Sequence, residues 1–476
     1  MFDVVVVGGG VVGAMILRVL SRYRLDVCML EKAEDVAMGQ SKANSGIVHA
    51  GFDAVSGSLK AKFNVLGSEM MEKVALDLGV EYKNNGALVV AFSQEQIKTL
   101  YELKARGEAN GVKGLYILDK EQLKEEEKNI SDDAVGALYA KTSAIICPYK
   151  LTVAGIGNAM DNGAKLKLSF EVCSIQKDDD GFTLSSVDGT SVRAKVIINC
   201  AGIGSQKIAN MLGDYSFKIG GRKGEYIILD KESAGFVKHT LFFTPTEKGK
   251  GILITPTVDN NVLLGPTAKV VEDGGVSTTQ SGLNEVSEKA RTMCKNPPLY
   301  NTITSFAGTR AFSDRNDFII EQSPVCENLI NCAGIESPGL TASPAIAEYV
   351  VKELVGKILN LNEKEDYIKT RKPDNFFEKL TTEQKNQLIK EDGRYGKIVC
   401  RCERITEGEI VRAIKTNPLA LNVDAIKRRT RSGMGRCQGG FCQPQIAEII
   451  ARELNIPLQN VTKHGKGSEL LTGRSK

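Results

Sequence analysis

The first thirty-one residues constrain the fold more than any other stretch of the chain. Phe2 to Val7 is a short apolar run that reads as a buried strand. Gly8, Gly10 and Gly13 follow as G-x-G-x-x-G, and an apolar helix continues through Leu20. A second strand, LDVCML, ends in Glu31, eighteen residues after Gly13. Each part has a mechanical job. The glycines let the backbone turn tightly and approach a pyrophosphate, and the helix N-terminus stabilises its negative charge. A carboxylate at the end of the second strand accepts hydrogen bonds from a ribose 2′-hydroxyl. Alone the glycine motif is weak, but set in strand–loop–helix–strand–Glu it specifies a dinucleotide-binding βαβ unit. The plainer alternative is a packing loop in some other βαβ unit. Glu31 in place of a basic residue speaks against a 2′-phosphate, and the fingerprint does not choose between FAD and NAD.

At 476 residues the chain is too long for one ordinary core, so two or three domains are expected. A hydrophobic share of 42% beside 25% charged residues is the balance of a soluble globular protein. A formal net charge of +4 excludes a strongly basic nucleic-acid coat and gives no support to a membrane-surface role. The apolar start has no basic n-region and is interrupted by glycines, so it does not read as a signal peptide. A cytoplasmic protein is expected, with no transmembrane segment and at most peripheral membrane association. Of eleven cysteines, Cys28, Cys147, Cys173, Cys200, Cys294, Cys326 and Cys332 are scattered, several in apolar text, and read as small core residues in a reducing compartment.

The other four are gathered near the C-terminus. Cys400 and Cys402 form C-x-C, and Cys437 and Cys442 form C-x₄-C after thirty-four further residues. Soft thiolates gathered in this way select zinc or an iron–sulfur cluster. Structural zinc sites usually draw on C-x₂₋₄-C knuckles, so the C-x-C pair favours iron, with zinc and unligated thiols as the alternatives. A cluster moves one electron at a time, so a chain that handles electron pairs elsewhere should pass them to a partner. Lys427, Arg428, Arg429, Arg431 and Arg436 crowd the motif. Without interleaved aromatics they do not suggest nucleic-acid binding. They read instead as cations that raise the potential of a negatively charged cluster.

Beyond the glycine loop, MGQSKANSGIVHAGFDAVSGSLKAKF (38 to 63) resembles the D-amino-acid-oxidase-like superfamily of FAD enzymes. Within it the segment is most similar to glycerol-3-phosphate and L-2-hydroxyglutarate dehydrogenases. In that family it wraps the pyrophosphate and the flavin ring. The resemblance therefore implies FAD contacts from Ser41, Asn44, Ser45, Gly46 and His49, with Lys32 beside Glu31. FEVCSIQ is similar to the strand whose backbone, near Val172, holds the adenine. VIINCAGIGSQKIA is similar to the turn that touches the cofactor again, at Ala201 and Gly202. LINCAGIESPGLTASPAIAEYVVKEL is similar to the last strand, glycine-rich turn and helix that face the flavin, through Gly334, Gly339, Leu340 and Thr341. The cysteine segment resembles the small [2Fe–2S] domain of bacterioferritin-associated ferredoxin. The two together resemble the large subunit of anaerobic glycerol-3-phosphate dehydrogenases; related fusions occur in opine, sarcosine and other amine dehydrogenases.

The fold expected from this is α/β. A Rossmann-type FAD-binding domain (about 1–79, 146–214 and 329–360) carries an inserted antiparallel-sheet substrate domain (about 80–145 and 215–328). A charged, mostly helical linker (361–396) leads to a small helical [2Fe–2S] domain (397–470).

The chain has three histidines. His49 lies in the segment expected beside the flavin ring, as a flavin contact and candidate acid or base; a histidine satisfied by backbone is the plainer reading. His239 is a second candidate in the substrate domain, and His464 reads as solvated. FAGTRAFSDRNDFIIEQ resembles the strand whose arginine reaches the substrate in glycerol-3-phosphate dehydrogenases, which maps onto Arg310, with Arg315 a weaker second. Guanidinium suits phosphate and carboxylate alike, so it does not choose the substrate. GIESPGLTASPA lacks the lysine usual in respiratory glycerol-3-phosphate dehydrogenases, and GILITPT has Leu253 where L-2-hydroxyglutarate dehydrogenases have a histidine. The resemblance implies oxidation of sn-glycerol 3-phosphate to dihydroxyacetone phosphate, with electrons leaving through the cluster to a second flavoprotein subunit. The alternatives are a 2-hydroxy-acid or amino-acid dehydrogenase, and a non-catalytic electron-transfer subunit.

Overall fold

Phe2–Val7 is a strand, and its valines alternate between two cores as the pleat requires. Val4 and Val6 face the helices, whereas Val5 and Val7 face Phe182, Leu184 and Ile208. A strand buried on both faces reads as an unbroken apolar run, which explains the four consecutive valines. In this computed structural model, which describes residues 1–245, 251–271, 275–373, 377–471 and 473, the strand lies within an eight-stranded sheet. It runs parallel to Val27–Leu30 on one side and to Ser191–Asn199 on the other. Lys165–Lys167 extends the sheet beyond Val27–Leu30. Cys326–Ala333 pairs parallel with the last residues of Ser191–Asn199, while Gly181–Ser186 pairs antiparallel with its first half.

Helix Val11–Leu20 is apolar nearly all round because it is covered nearly all round, by the sheet and by helices Pro148–Asp161 and Gly339–Tyr349. Its one charged residue, Arg18, is buried and donates from Nε to Asn158 Oδ1 at 3.1 Å. Helix Leu59–Leu78 starts at Ser58, whose hydroxyl accepts from the Ala61 N–H, and stops at Gly79 in the left-handed region.

A nine-stranded sheet holds most of the inserted segments. Its longest pairing joins Ile219–Leu229 to Thr302–Ser313, antiparallel over almost their whole length. One pairing departs from the antiparallel expectation: Thr240–Phe243 runs parallel to Ala87–Ala91. These strands come from separate inserted segments, so no hairpin dictates their direction.

Residues 358–373 differ from the helical expectation. They run without regular helix along the nucleotide-binding half, fastened by their backbone. The Lys364 N–H donates to Arg22 O at 2.8 Å, the Ile368 N–H to Asn162 Oδ1 at 2.7 Å and the Arg371 N–H to Asp77 O at 2.8 Å. Satisfied from outside, this backbone has no need of a helix's own hydrogen bonds. Helix Thr382–Glu391, with a capping box at Thr381, follows.

Beyond it, Glu407–Lys415, Val423–Thr430 and Gln443–Leu454 pack around Ile410, Ile414, Ile426, Ile446 and Ile450, beside a short ribbon of Ile398–Cys400 and Ile405–Thr406. This small core is fastened to the rest by buried ion pairs. Asp35 accepts from Arg428 Nε at 3.0 Å and from Arg429 Nη2 at 2.9 Å, and all three side chains are almost wholly buried. Burial pushes the Asp35 carboxyl up, but Arg429 and Arg428 together outweigh it and hold the group below its ordinary value. Among the described residues no helix is long and apolar enough to cross a membrane.

Replacing Asp35 by Asn strands two buried guanidiniums, which should cost about 3–5 kcal/mol in urea unfolding at neutral pH. A depressed carboxyl stabilises above its unfolded pKa, about 3.9, and loses that contribution as pH falls through the folded value. The gap between wild type and Asp35→Asn should therefore narrow below about pH 4.

Candidate functional site

The glycine loop separates what the fold needs from what a ligand needs. A Cβ at Gly8 would lie 2.4 Å from Cys200 O, and one at Gly13 would lie 2.2 Å from Gly8 O, so both are glycine because protein backbone is already there. Gly10 is different. A Cβ there would meet only the flexible Ser41 Oγ at 3.3 Å, and φ is an ordinary −80°. Packing does not demand glycine at this position, but a pyrophosphate lying against the loop does. Glu31 closes the other side, accepting from the Gly9 N–H at 2.7 Å and the Ala33 N–H at 2.8 Å. A carboxylate has about four lone-pair sites, so ribose hydroxyls can still donate to it. Ser41 Oγ accepts from the Val11 N–H at 2.8 Å, tying the next loop to the helix start. These residues fit an adenine dinucleotide. Lys32 is exposed beside them, Val172 opens the strand Val172–Asp178, and Ala201 follows the strand end packed against Gly8. Gly202 has φ +57°.

The segment after Ser41 is held by its own side chains. Asn44 donates to Gln40 O and Ser41 O, both at 3.1 Å, and accepts from the Gly46 N–H at 2.9 Å. Gly46 has φ +66°, where a Cβ would lie 2.6 Å from Ile146 O. His49 is buried and clamped. Its N–H donates to Thr341 Oγ1 at 2.9 Å, and its carbonyl accepts from Asn64 Nδ2 at 2.6 Å. Its ring packs against Phe52, with centroids 4.6 Å apart. Nδ1 accepts from the Gly51 N–H at 3.1 Å, so the neutral ring carries its proton on Nε2. Thr341 thus joins helix Gly339–Tyr349 to the His49 segment, with Leu340 beside it. Gly334 lies in the turn before that helix and Gly339 is its first residue; a Cβ there would press on Ser313 and Ile335 respectively.

The paired strands Ile219–Leu229 and Thr302–Ser313 roof this loop. Register places Arg222 opposite Arg310, Gly224 opposite Gly308 and Tyr226 opposite Phe306, all on one face. That face rests on the loop, because a Cβ at Gly308 would lie 2.3 Å from Ala43 O. Tyr226 stacks on Phe306 with centroids 4.6 Å apart, with Ser45 near its hydroxyl. Burial pushes the Tyr226 hydroxyl up, and Arg310 offsets this only in part, so it stays a protonated donor. Arg310 donates from Nη2 to Thr267 O at 3.2 Å, while its buried Nε has no partner among the described residues. Arg222 lies over the Phe312 ring at 4.7 Å and pairs with Glu336 at 3.1 Å, which also holds Lys60 at 3.0 Å.

Other predicted residues are not brought here. Arg315 points outward to Glu321, at 2.8 Å, and to Ser216 O. His239 is buried just before strand Thr240–Phe243, its ring between Glu127 at 3.4 Å and Glu126 at 3.5 Å and against Tyr139. Sequence reasoning missed Tyr226 and Arg222. Their place depends on cross-strand register with residues eighty or more positions away, and no local pattern encodes it.

At the other end, the four cysteines form two pairs. Cys402 and Cys437 have their sulfurs 3.6 Å apart, and Cys400 and Cys442 lie close enough to act on each other's thiol. Among the described residues, no three His, Cys, Asp or Glu side chains converge on a single ion. Two thiol pairs match two irons with two thiolates each better than one tetrahedral zinc. The Cys400 thiol is held below its ordinary value, first by the Cys442 thiol, and the Cys437 thiol is also lowered, with burial opposed by the backbone of Phe441 and Gly439 and by Cys402. Cys400 and Cys442 are buried, Cys437 is half-buried and Cys402 is exposed. The nearby basic residues act otherwise than expected. Arg428 and Arg429 hold Asp35, Arg431 holds Asp259 and Glu403, and Arg436 holds Asp230 and Glu232.

The FAD dependent oxidoreductase family profile matches residues 3–353, and the BFD-like [2Fe-2S] binding domain profile matches residues 398–452. A glycerol 3-phosphate dehydrogenase of Caloramator mitchellensis is 46% identical over 477 residues, covering 100% of this chain and 99% of its own length. A glycerol 3-phosphate oxidase of Mycoplasma genitalium is 33% identical, covering 74% of this chain and 94% of its own. The FAD-bound, dithionite-reduced L-alpha-glycerophosphate oxidase of Mycoplasma pneumoniae superposes with a TM-score of 0.75 at 30% identity, covering 78% of this chain and 98% of its own.

Gly10→Ala should fold and unfold like wild type yet lose FAD, seen as loss of yellow colour and of flavin released on denaturation. Gly13→Ala should instead lower stability, by about 2 kcal/mol or more, because backbone must shift. Cys402→Ser should lose iron and the low-temperature paramagnetic resonance signal of the reduced protein while retaining FAD. Stoichiometric zinc in wild type would rule the cluster out.

Proposed function

Because this chain belongs to the FAD dependent oxidoreductase family and carries a BFD-like [2Fe-2S] binding domain, we propose that it oxidises sn-glycerol 3-phosphate to dihydroxyacetone phosphate and passes the electrons on through the cluster. The observation that carries the substrate is Arg310. Its half-buried guanidinium lies on the roof face above the His49 loop, answered by a backbone carbonyl, with a buried Nε still unpartnered. A desolvated donor left open in this way suits a strong acceptor such as phosphate. The full-length likeness to a glycerol 3-phosphate dehydrogenase supports the same substrate.

Arg310 holds the anionic end of the substrate, and Tyr226, a protonated donor beside it, helps to orient it. Bound FAD, held by Gly10, Glu31, Ser41 and the His49–Thr341 clamp, supplies a hydride acceptor for the substrate C2. His49 holds its proton on Nε2 as long as the Gly51 N–H occupies Nδ1. To take the hydroxyl proton at Nε2 the ring must first give up that bond. Gly308 lets the roof sit directly on the loop, which keeps water from the reacting atoms.

Electrons leave one at a time, so a one-electron route to another redox protein is required, and a second flavoprotein subunit fits that need. The work is assigned to the cytoplasm; all eleven cysteines are free, which suits a reducing compartment.

Anaerobic bleaching of the flavin by glycerol 3-phosphate, and not by 2-hydroxyglutarate or amino acids, tests the reading directly. Arg310→Ala should lower kcat/KM by about 2–4 kcal/mol equivalent. Arg310→Lys should recover only part of it, because lysine lacks the planar fork. Unchanged kinetics in both variants would remove Arg310 from the site.

A further inference from the structure

Helix Val423–Thr430 ends at Arg431, whose φ is +72°. Left-handed backbone at a helix end ordinarily selects glycine or asparagine, so an arginine there carries a conformational cost. Its side chain explains its presence. Arg431 is almost wholly buried, and its fork reaches three parts of the molecule. Nε donates to Glu403 Oε2 at 2.8 Å, and Glu403 directly follows Cys402. Nη1 donates to Asp259 Oδ2 at 2.8 Å and Nη2 to Asn261 Oδ1 at 3.0 Å, both in the turn between strands Leu253–Pro256 and Val262–Gly265 of the roof sheet. Nη1 also lies 3.4 Å from the hydroxyl of Tyr149, at the start of helix Pro148–Asp161 of the nucleotide-binding half. Lys150 completes the cluster of charges with a 3.2 Å bond to Asp259. Six residues after Arg431 comes Cys437, so both cysteine loops are tied to this one guanidinium, one through Glu403 and the other through the chain.

We propose that Arg431 is a positioning residue that fixes the cysteine quartet against the flavin-binding body, so that electrons from substrate oxidation can reach the cluster. This rests on the function proposed above. Oxidation of the C2 alcohol to a ketone releases a hydride and a proton, two electrons in all, which leave singly through the cluster to the acceptor flavoprotein. Transfer between separated centres falls steeply with distance, so a cluster domain that rocks on its docking face would leave flavin reduction intact and slow the next step. A planar five-donor fork can hold three bodies in one geometry, which a lysine cannot.

The test uses Arg431→Gly, which relieves the backbone while removing the fork, and Asp259→Asn, which lies outside the cluster domain. In the full-length holoenzyme, glycerol 3-phosphate should bleach the flavin anaerobically at close to the wild-type rate. Iron content and the cluster's resonance spectrum should be unchanged. Freeze-quenched cluster reduction should slow about tenfold or more, with a larger radius of gyration by small-angle scattering, and Arg431→Lys should fall between. If Arg431→Gly loses iron, Asp259→Asn decides alone. Cluster reduction that keeps pace with flavin bleaching in Asp259→Asn would overturn the assignment. A wild-type cluster that stays oxidised while its flavin bleaches would overturn the functional reading itself, and this one with it.

Discussion

Where strand Phe2–Val7 turns into helix Val11–Leu20, three stretches of backbone meet with no room for a side chain: the Gly8 turn, the Gly13 position on the helix and the Cys200 carbonyl at the end of Ser191–Asn199. This close approach sets the helix down on the sheet and brings the ends of two parallel strands together at one edge. The rest of the flavin-binding half follows from it. Glu31 ends the neighbouring strand within reach of the Gly9 N–H, Ser41 returns to the Val11 N–H, and the Ala201–Gly202 turn faces the same edge. Over Gly10, unlike Gly8 and Gly13, no backbone crowds the position where a side chain would begin.

That junction was legible in the sequence because its causes are local. Backbone crowding needs glycine at fixed offsets, a two-faced strand needs consecutive valines, and a helix buried all round needs apolar residues all round. The cysteine quartet was legible for the same reason, since four thiolates in two short loops have few other uses. The roof was legible only as strands. Arg310 stood out through resemblance, but Arg222 and Tyr226 owe their position to an antiparallel register that no short window contains. Arg315 shows the converse. It is close to Arg310 in sequence but lies past the end of the strand, and it turns outward to Glu321. The segment 358–373 misled on helix content because its charges suit a helix, whereas its backbone is claimed by Asn162, Arg22 and Asp77, at or near the ends of three different helices.

The arginines before Cys437 were the least legible feature, for an electrostatic reason. A run of cations beside a metal motif invites the inference that the charges act on the metal. In the folded protein nearly every one has a carboxylate from the flavin-binding body: Asp35 for Arg428 and Arg429, Asp259 for Arg431, and Asp230 and Glu232 for Arg436. Opposite charges at bonding distance largely cancel at longer range, so their effect on a cluster's potential is small beside their effect on docking.

Burial turns this pairing into a constraint on the whole chain. Asp35 would be an uncompensated buried carboxylate without the C-terminal domain, and Arg428 and Arg429 would be uncompensated buried cations without the flavin-binding body. A buried ion pair adds little net stability compared with apolar packing, but separating it is expensive, so such pairs specify geometry more than they strengthen it. The two halves are therefore held in one relative orientation, with Cys400 and Cys442 turned inward and Cys402 turned toward solvent. An enzyme that takes in electrons as a pair at one centre and releases them singly at another needs that fixed orientation more than it needs extra stability.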